Sequence, residues 1–228
     1  MQRLVLFDID ATLLLTRGAG LRAMKRSTLE IFGERFVWDG IDTSGGLDPQ
    51  LFREAARRSG IEISGGEHDR FRDRYHEHLE RELEAAKADV LTMPGVHEVL
   101  RLLRGRPDVA LGLLTGNYRP AAALKLGSIG IDIAEFAVCV FGDDGDTRPA
   151  LGRVALRRYA EAFGRDIEPH AVVIVGDTPK DVDCARANGF KCLAVATGKY
   201  SVEVLLESGA DAVVRDLSDT GRLLELLR

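Results

Sequence analysis

Short apolar runs alternate with longer mixed stretches along most of this chain. Leu4, Val5, Leu6 and Phe7 form the first run, and from about residue 107 the pattern recurs as "VALGLLTG" (109–116), "FAVCVFG" (136–142), "AVVIVGD" (171–177), "KCLAVATG" (191–198) and a short "DAVV" (211–214). Runs of this length, rich in Val and Leu and closed by Gly, Asp or Asn, predict buried strands. Between them, helical spacing of apolar residues predicts helices over about 119–129, 149–164, 179–188, 201–208 and 218–227. Apolar strands separated by helices predict a parallel sheet covered on both faces.

Residues 18 to 88 break this rhythm. "GLRAMKRSTLEIFG", "DPQLFREAARRSG" and "EHDRFRDRYHEHLERELEAAKA" are long, charged and helical in period, without a convincing strand. They predict a helical insert between the first strand and the rest of the sheet. Within it, Phe36 and Trp38 are expected in the insert's own core, and 67–88 as an exposed face. Gly18, Gly20 and "TMPGV" (92–96) flank the insert and read either as hinges or as ordinary loop punctuation.

Composition narrows the picture. With 228 residues, 45% of them hydrophobic, the chain can bury one full core and a smaller second unit. A net charge of -5 gives no electrostatic reason to expect nucleic acid or an anionic membrane as partner, so an anionic substrate would have to be attracted locally. Cys139, Cys184 and Cys192 are odd in number and form no CxxC pair, which suggests neither a disulfide framework nor a zinc site and fits a reducing, cytoplasmic location. Cys184 is expected as buried packing and the five histidines as solvated. The apolar run after Arg3 is too short for a signal-peptide core, and no run approaches a membrane span.

The candidate chemistry lies at strand ends, where α/β sheets bind ligands. Asp8 and Asp10 follow the first strand, Thr115, Gly116 and Asn117 follow the second, and Asp177 and Asp181 follow "AVVIV" in "GDTPKD". Carboxylates crowded together repel one another unless a cation neutralises them, and oxygen ligands that share a site with phosphate suit Mg2+. Asp8 could then attack phosphorus, with Asp10 as acid and then base. Thr115 offers a hydroxyl, and Gly116 and Asn117 offer backbone N–H groups near a helix start. A fixed cation is still needed for the phosphoryl oxygens. Arg148, ahead of Pro149, is well situated; Lys180 and Arg119 are rivals.

In their order, "FDIDATLLL", "LLTGN", the basic residue before Pro in "TRPA", and "VGDTPKDVDCARANG" resemble the four motifs of the haloacid dehalogenase superfamily. The resemblance spans nearly the whole chain, and "MPGVHEVLRLL" (93–103) is similar to the segment that follows that family's cap. It implies an α/β fold: a Rossmann-like parallel sheet core with helices on both faces (1–16 and 90–228), plus a small all-helical cap domain inserted after the first strand (17–89). "LDPQLFREAARRSGI" (47–61) is similar to the cap's substrate-facing segment. By the resemblance Asp8 is nucleophile and Mg2+ ligand, while Asp10 is the acid/base and lends its backbone carbonyl to the metal. Thr115 and Arg148 hold phosphate, with Gly116 and Asn117 beside them, and Asp177 binds Mg2+ with Asp181 nearby. Asp at position 10 points to the phosphatase and phosphomutase branches.

The implied function is a Mg2+-dependent phosphatase for a small phosphorylated metabolite, acting through an aspartyl-phosphate as a monomer or homodimer. The alternatives are a phosphomutase of the β-phosphoglucomutase type and a non-catalytic binding protein on the same scaffold. Ala11 departs from the family's usual Gly, so a turn that demands positive φ would be strained there.

Overall fold

The computed structural model describes residues 2–228. In chain order its elements are β1 (Arg3–Phe7), β2 (Leu14–Leu15), α1 (Ala19–Phe32), α2 (Asp48–Arg58), α3 (Gly65–Ala85), β3 (Leu91–Thr92), α4 (Val96–Arg104), β4 (Val109–Leu114) and α5 (Arg119–Gly127). There follow β5 (Val138–Val140), α6 (Arg148–Phe163), β6 (Val172–Gly176), α7 (Pro179–Asn188), β7 (Lys191–Val195), α8 (Val202–Glu207), β8 (Ala212–Val214) and α9 (Thr220–Leu226).

β1 is buried along its whole length because both of its faces are covered. Leu4 and Leu6 pack into one apolar layer with Leu151 and Tyr159 of α6, Val182 of α7 and Leu205 of α8. Val5 and Phe7 pack into the opposite layer with Val99 and Leu103 of α4, Leu126 of α5 and Leu223 of α9. This period-2 division across an apolar run is what a parallel α/β sheet requires. The six strands run in the order β5-β4-β1-β6-β7-β8, every pair parallel. From β1 the chain builds outward to one side through β4 and β5, then crosses back to build the other side. The strand order therefore reverses beside β1, and the carboxyl ends of β4, β1 and β6 meet at that switch point.

Between β2 and β3 lie α1, α2 and α3, which share a separate cluster containing Phe32, Phe36, Trp38, Phe52, Phe71 and Tyr75. Phe52 lies at its centre, stacked on Phe71 with ring centroids 3.9 Å apart and on Phe36 at 5.7 Å. Tyr118 and Ala121, at the start of α5, complete the cluster from the sheet side. Among the described residues no helix is long and apolar enough to cross a membrane.

Several expectations change. The stretch 67–88 is exposed on its charged side only: Phe71, Tyr75, Leu79 and Leu83 recur every four residues and form a buried stripe on α3. His68 is half-buried and its Nε2 lies 2.7 Å from the Tyr118 hydroxyl, so this histidine is not merely solvated. The antiparallel ribbon of β2 and β3 went unpredicted because two-residue strands carry no period. Gly95 is glycine for close approach: a methyl there would overlap the backbone of Leu217 and Ser218, and its φ is +80°.

After β1 the chain turns sharply. Ala11 has φ +57°, and the turn is held by Ala11 N–H donating to the Leu14 carbonyl at 2.8 Å and by the Thr197 hydroxyl donating to the Ala11 carbonyl at 2.5 Å. The left-handed conformation costs a non-glycine residue about 1–2 kcal/mol. Ala11→Gly removes that strain but adds about 0.5–1 kcal/mol of backbone entropy to be lost on folding. A net stabilisation of about 0.5–1 kcal/mol is expected, a rise of about 1–4 °C in Tm for a chain of this size, read by calorimetry. Phe52→Ala should destabilise by about 3–5 kcal/mol in denaturant unfolding, because a large ring is removed from a filled aromatic stack.

Candidate active site

Asp8 is the first residue past β1, and its N–H still continues the ladder by donating to the Val175 carbonyl at 2.9 Å. That bond fixes its carboxylate at the sheet edge, where only 5% of the residue is exposed. Arg148 enters from the first turn of α6, one residue earlier than the predicted helix start, with Thr147 capping the helix through its side chain. Its Nη2 lies 3.0 Å from Asp8 Oδ2 and 2.5 Å from Asp181 Oδ1, and its Nε donates to Asp181 Oδ1 at 3.0 Å. The other Asp181 oxygen accepts from the Thr178 N–H at 3.1 Å and from its hydroxyl at 2.7 Å, closing a capping box at the start of α7. Asp177 follows β6. One oxygen each from Asp8, Asp177 and Asp181 lie within 4.8 Å of one another.

Burial dominates the electrostatics. It pushes the Asp8 carboxyl up to about 6 against the pull of Arg148, and pushes Asp177 up to about 8 with help from Asp181 and Asp8. Asp48, at the start of α2, is pushed up to about 7 by burial although Lys125 lies near enough to oppose the shift. Carboxyl groups shifted this way by desolvation beside charged partners, in a cleft, mark a candidate functional site.

Thr115 is fully buried beyond β4, and its Oγ1 accepts from Asn117 Nδ2 at 2.8 Å. Helix α5 starts only at Arg119, and the Asn117 N–H points back to Thr115 Oγ1 at 3.4 Å. Gly116 is glycine for a steric reason: a methyl there would overlap the Gly46 carbonyl of the helical insert, and the Gly116 carbonyl accepts from Asp48 N–H at 2.8 Å. Asp10 has left the strand. Its carboxylate is 45% exposed on one side and on the other meets Lys125 Nζ at 2.6 and 2.8 Å and Asn117 Nδ2 at 2.8 Å.

Asp8, Asp10, Thr115, Gly116, Asn117, Arg148 and Asp177 all line one cavity of about 500 Å³. Asp181 stands behind it, reaching it through Arg148. Of the rival cations, Lys180 donates to the Ser44 carbonyl at 2.7 Å and Arg119 lies over the Phe141 ring, so neither lines the cavity. Sequence reading missed Lys125, Asp48, Tyr75 and Gly198, which also line it. One signal was present: on α5, Lys125 shares the buried stripe of Ala121, Ala122 and Leu126, an improbable place for an unpaired cation.

Comparison with known proteins agrees with this geometry. A phosphoglycolate phosphatase from Chromobacterium violaceum is 30% identical over 157 residues, which is 68% of this chain and 63% of that protein. The phosphoglycolate phosphatase of Escherichia coli K12 is 27% identical over 136 residues, 60% of this chain and 52% of that protein. The match thus spans between half and two-thirds of the length of these relatives. CbbY from Rhodobacter sphaeroides, solved in complex with xylulose-(1,5)bisphosphate, superposes with a TM-score of 0.75 at 20% identity, covering 97% of both chains. A hydrolase from Pseudomonas syringae gives a TM-score of 0.71 at 21% identity over 98% of both. These two likenesses establish a shared fold. The family model for haloacid dehalogenase-like hydrolase matches residues 5–186, which takes in every strand end that lines the cavity from β1 to β6, and the chain belongs to that family.

Proposed function

We propose that this chain is a Mg2+-dependent phosphatase that hydrolyses a small phosphorylated metabolite through an aspartyl-phosphate on Asp8. The reading is carried by one observation: Asp8, Asp177, Arg148 and Thr115, from four separate stretches of sequence, converge on one cavity at the switch point of the sheet. The names of the curated relatives make a two-carbon phosphate the first substrate to try, and the ligand of the structural neighbour CbbY adds sugar phosphates. A cavity of about 500 Å³ suits molecules of that size.

In this reading residues 1–16 and 90–228 form the catalytic core and 17–89 its cap. Leu21, Met24 and Leu51 of the insert line the cavity, and the Ser44 and Gly45 carbonyls accept from Lys180 and Arg148 of the core. The cap excludes water from the reacting phosphate and selects the leaving group.

The fit of the acidic cluster to a cation can be judged from its charge. Three carboxylates are gathered around one guanidinium, and burial holds two of them far above their ordinary range. Asp8 and Asp177 would hold Mg2+, and the family resemblance adds the Asp10 backbone carbonyl to them. Asp181 has both oxygens engaged, by Arg148 and Thr178, and serves to brace the arginine. When bound, Mg2+ supplies the charge that lets an anionic carboxylate approach an anionic phosphate.

The chain's own groups do the rest. An Asp8 oxygen forms a bond to phosphorus as the bond to the leaving oxygen breaks, and Asp10 delivers a proton to that oxygen. Water then attacks the phosphoryl group, the bond to Asp8 breaks, and Asp10 takes the water's proton. Thr115 and Arg148 hold the phosphoryl oxygens throughout.

Asp8→Asn should lower phosphate release from a panel of phosphate esters by on the order of 10³-fold or more while leaving the fold intact. Chelation should abolish release from the wild type, and Mg2+ should restore it and raise Tm, since it binds the folded state. Retained activity in Asp8→Asn would overturn the reading. Gly198 lies against Asp177, and a methyl there would overlap Asp177 Oδ2. Gly198→Ala should therefore raise the half-saturating Mg2+ concentration by about 10–100-fold, measured in the same assay and by Mg2+-dependent Tm.

A further inference from the structure

Lys125 lies outside the motif residues assigned above, and its ammonium is sunk in the wall of the cavity. Its side chain is 5% exposed, and its three donors are directed at Asp10 Oδ1 (2.8 Å), Asp10 Oδ2 (2.6 Å) and Asn117 Oδ1 (2.6 Å). Asn117 is held at its other end as well, because Nδ2 bridges Asp10 Oδ2 and Thr115 Oγ1 at 2.8 Å each. A closed polar ring results: Lys125 to Asp10, Asp10 to Asn117, and Asn117 back to Lys125, anchored on the buried Thr115. The insert closes over it with Gly20 of α1, where a β-carbon would come within 3.5 Å of both Lys125 Nζ and the Tyr75 hydroxyl.

The burial of a lysine at this point has a cost, and stability alone gives a weak reason for it. A buried ion pair rarely outperforms apolar residues of the same volume. Asp10, moreover, is past the last residue of β1, in a turn strained at Ala11, so the sheet does not orient its carboxylate. Without Lys125 and Asn117 the side chain would be free to rotate into the open side of the cavity.

We propose that Lys125 is a positioning residue: it holds the Asp10 carboxylate in the orientation needed to accept the proton of the water that hydrolyses the phosphoryl group from Asp8. The proposal rests on the phosphatase reading above. In the step concerned, the water oxygen forms a bond to phosphorus, the bond from phosphorus to Asp8 breaks with its electron pair returning to the carboxylate, and the water's proton passes to Asp10. Lys125 touches neither water nor phosphate; it fixes the direction of the base's lone pair.

The test is a split between the two half-reactions, with p-nitrophenyl phosphate as substrate. Its leaving group departs without a proton, so kcat/KM reports attack by Asp8, and kcat reports hydrolysis of the phosphoenzyme once that step is slowed. Lys125→Met should lower kcat by about 10–100-fold and KM by a similar factor, with kcat/KM changed less than about threefold. A burst of p-nitrophenolate equal to the enzyme concentration should appear. Lys125→Arg, which keeps the charge and guards against a failure of the Met variant to fold, should recover part of kcat with kcat/KM again unchanged. A parallel fall of kcat and kcat/KM without a burst, or no effect at all, would overturn the positioning role. A wild type that is active and silenced by Asp8→Asn, combined with such a parallel fall, would leave the phosphatase reading standing and remove this inference alone. An inactive wild type would remove both.

Discussion

The buried contact between Arg148 and the carboxylates of Asp8 and Asp181 is the interaction on which the rest of the site depends. Removing such groups from water costs several kcal/mol per ion, and one guanidinium does not neutralise the three carboxylates gathered there. Burial, with the neighbouring carboxylates adding to it, raises the affinity of Asp8 and Asp177 for protons. A fold would not accumulate this for stability. The sheet imposes it: Asp8 is tied to β6 by its N–H, Asp181 is locked by Thr178, and Arg148 is carried in by the first turn of α6.

Close backbone approach is the second constraint, and it joins the helical insert to the sheet. Gly116 lies directly under the Gly46 carbonyl, the Asp48 N–H reaches the Gly116 carbonyl, and the Tyr118 N–H reaches Asp48 Oδ2 at 3.1 Å. The segment 44–48 is thereby set on the loop that carries Thr115 and Asn117. The end of the cavity that holds Asp8, Thr115 and Asp177 is built from strand ends, and its opposite wall from α1, α2 and α3. Tyr75 illustrates the join: its ring packs in the insert's aromatic cluster, while its fully buried hydroxyl, beside the cavity, has no hydrogen-bond partner among the described residues.

Much of this was legible in the chain. The apolar runs matched β4, β6 and β7 closely, because a strand buried on both faces reads as a near-continuous run of Val, Leu and Ile. The helices of the insert were legible from their period, although α3 was misjudged: its dense charges masked the Phe71, Tyr75, Leu79 and Leu83 stripe. Among site residues, Asp8, Thr115, Arg148 and Asp177 could be found because they sit at strand or helix ends marked by Gly, Pro and Asp. Lys125 and Gly198 were missed: the one is marked only by its place on the buried stripe in the last turn of α5, and the other matters only through the space it leaves for Asp177.

The sequence by itself determined the alternation of strand and helix, the helical interruption after β1, and the carboxylates and hydroxyl delivered to one sheet edge. These follow from local patterns: burial sets the composition of a run, and the run's end sets where a polar side chain emerges. Only the tertiary structure decided which cation stands against Asp8, that Asp181 faces Arg148, and that Asp10 turns toward a lysine 115 residues away. Those pairings are made across the switch point between segments distant in sequence. Their geometry is set by strand order and helix packing, which no local pattern contains.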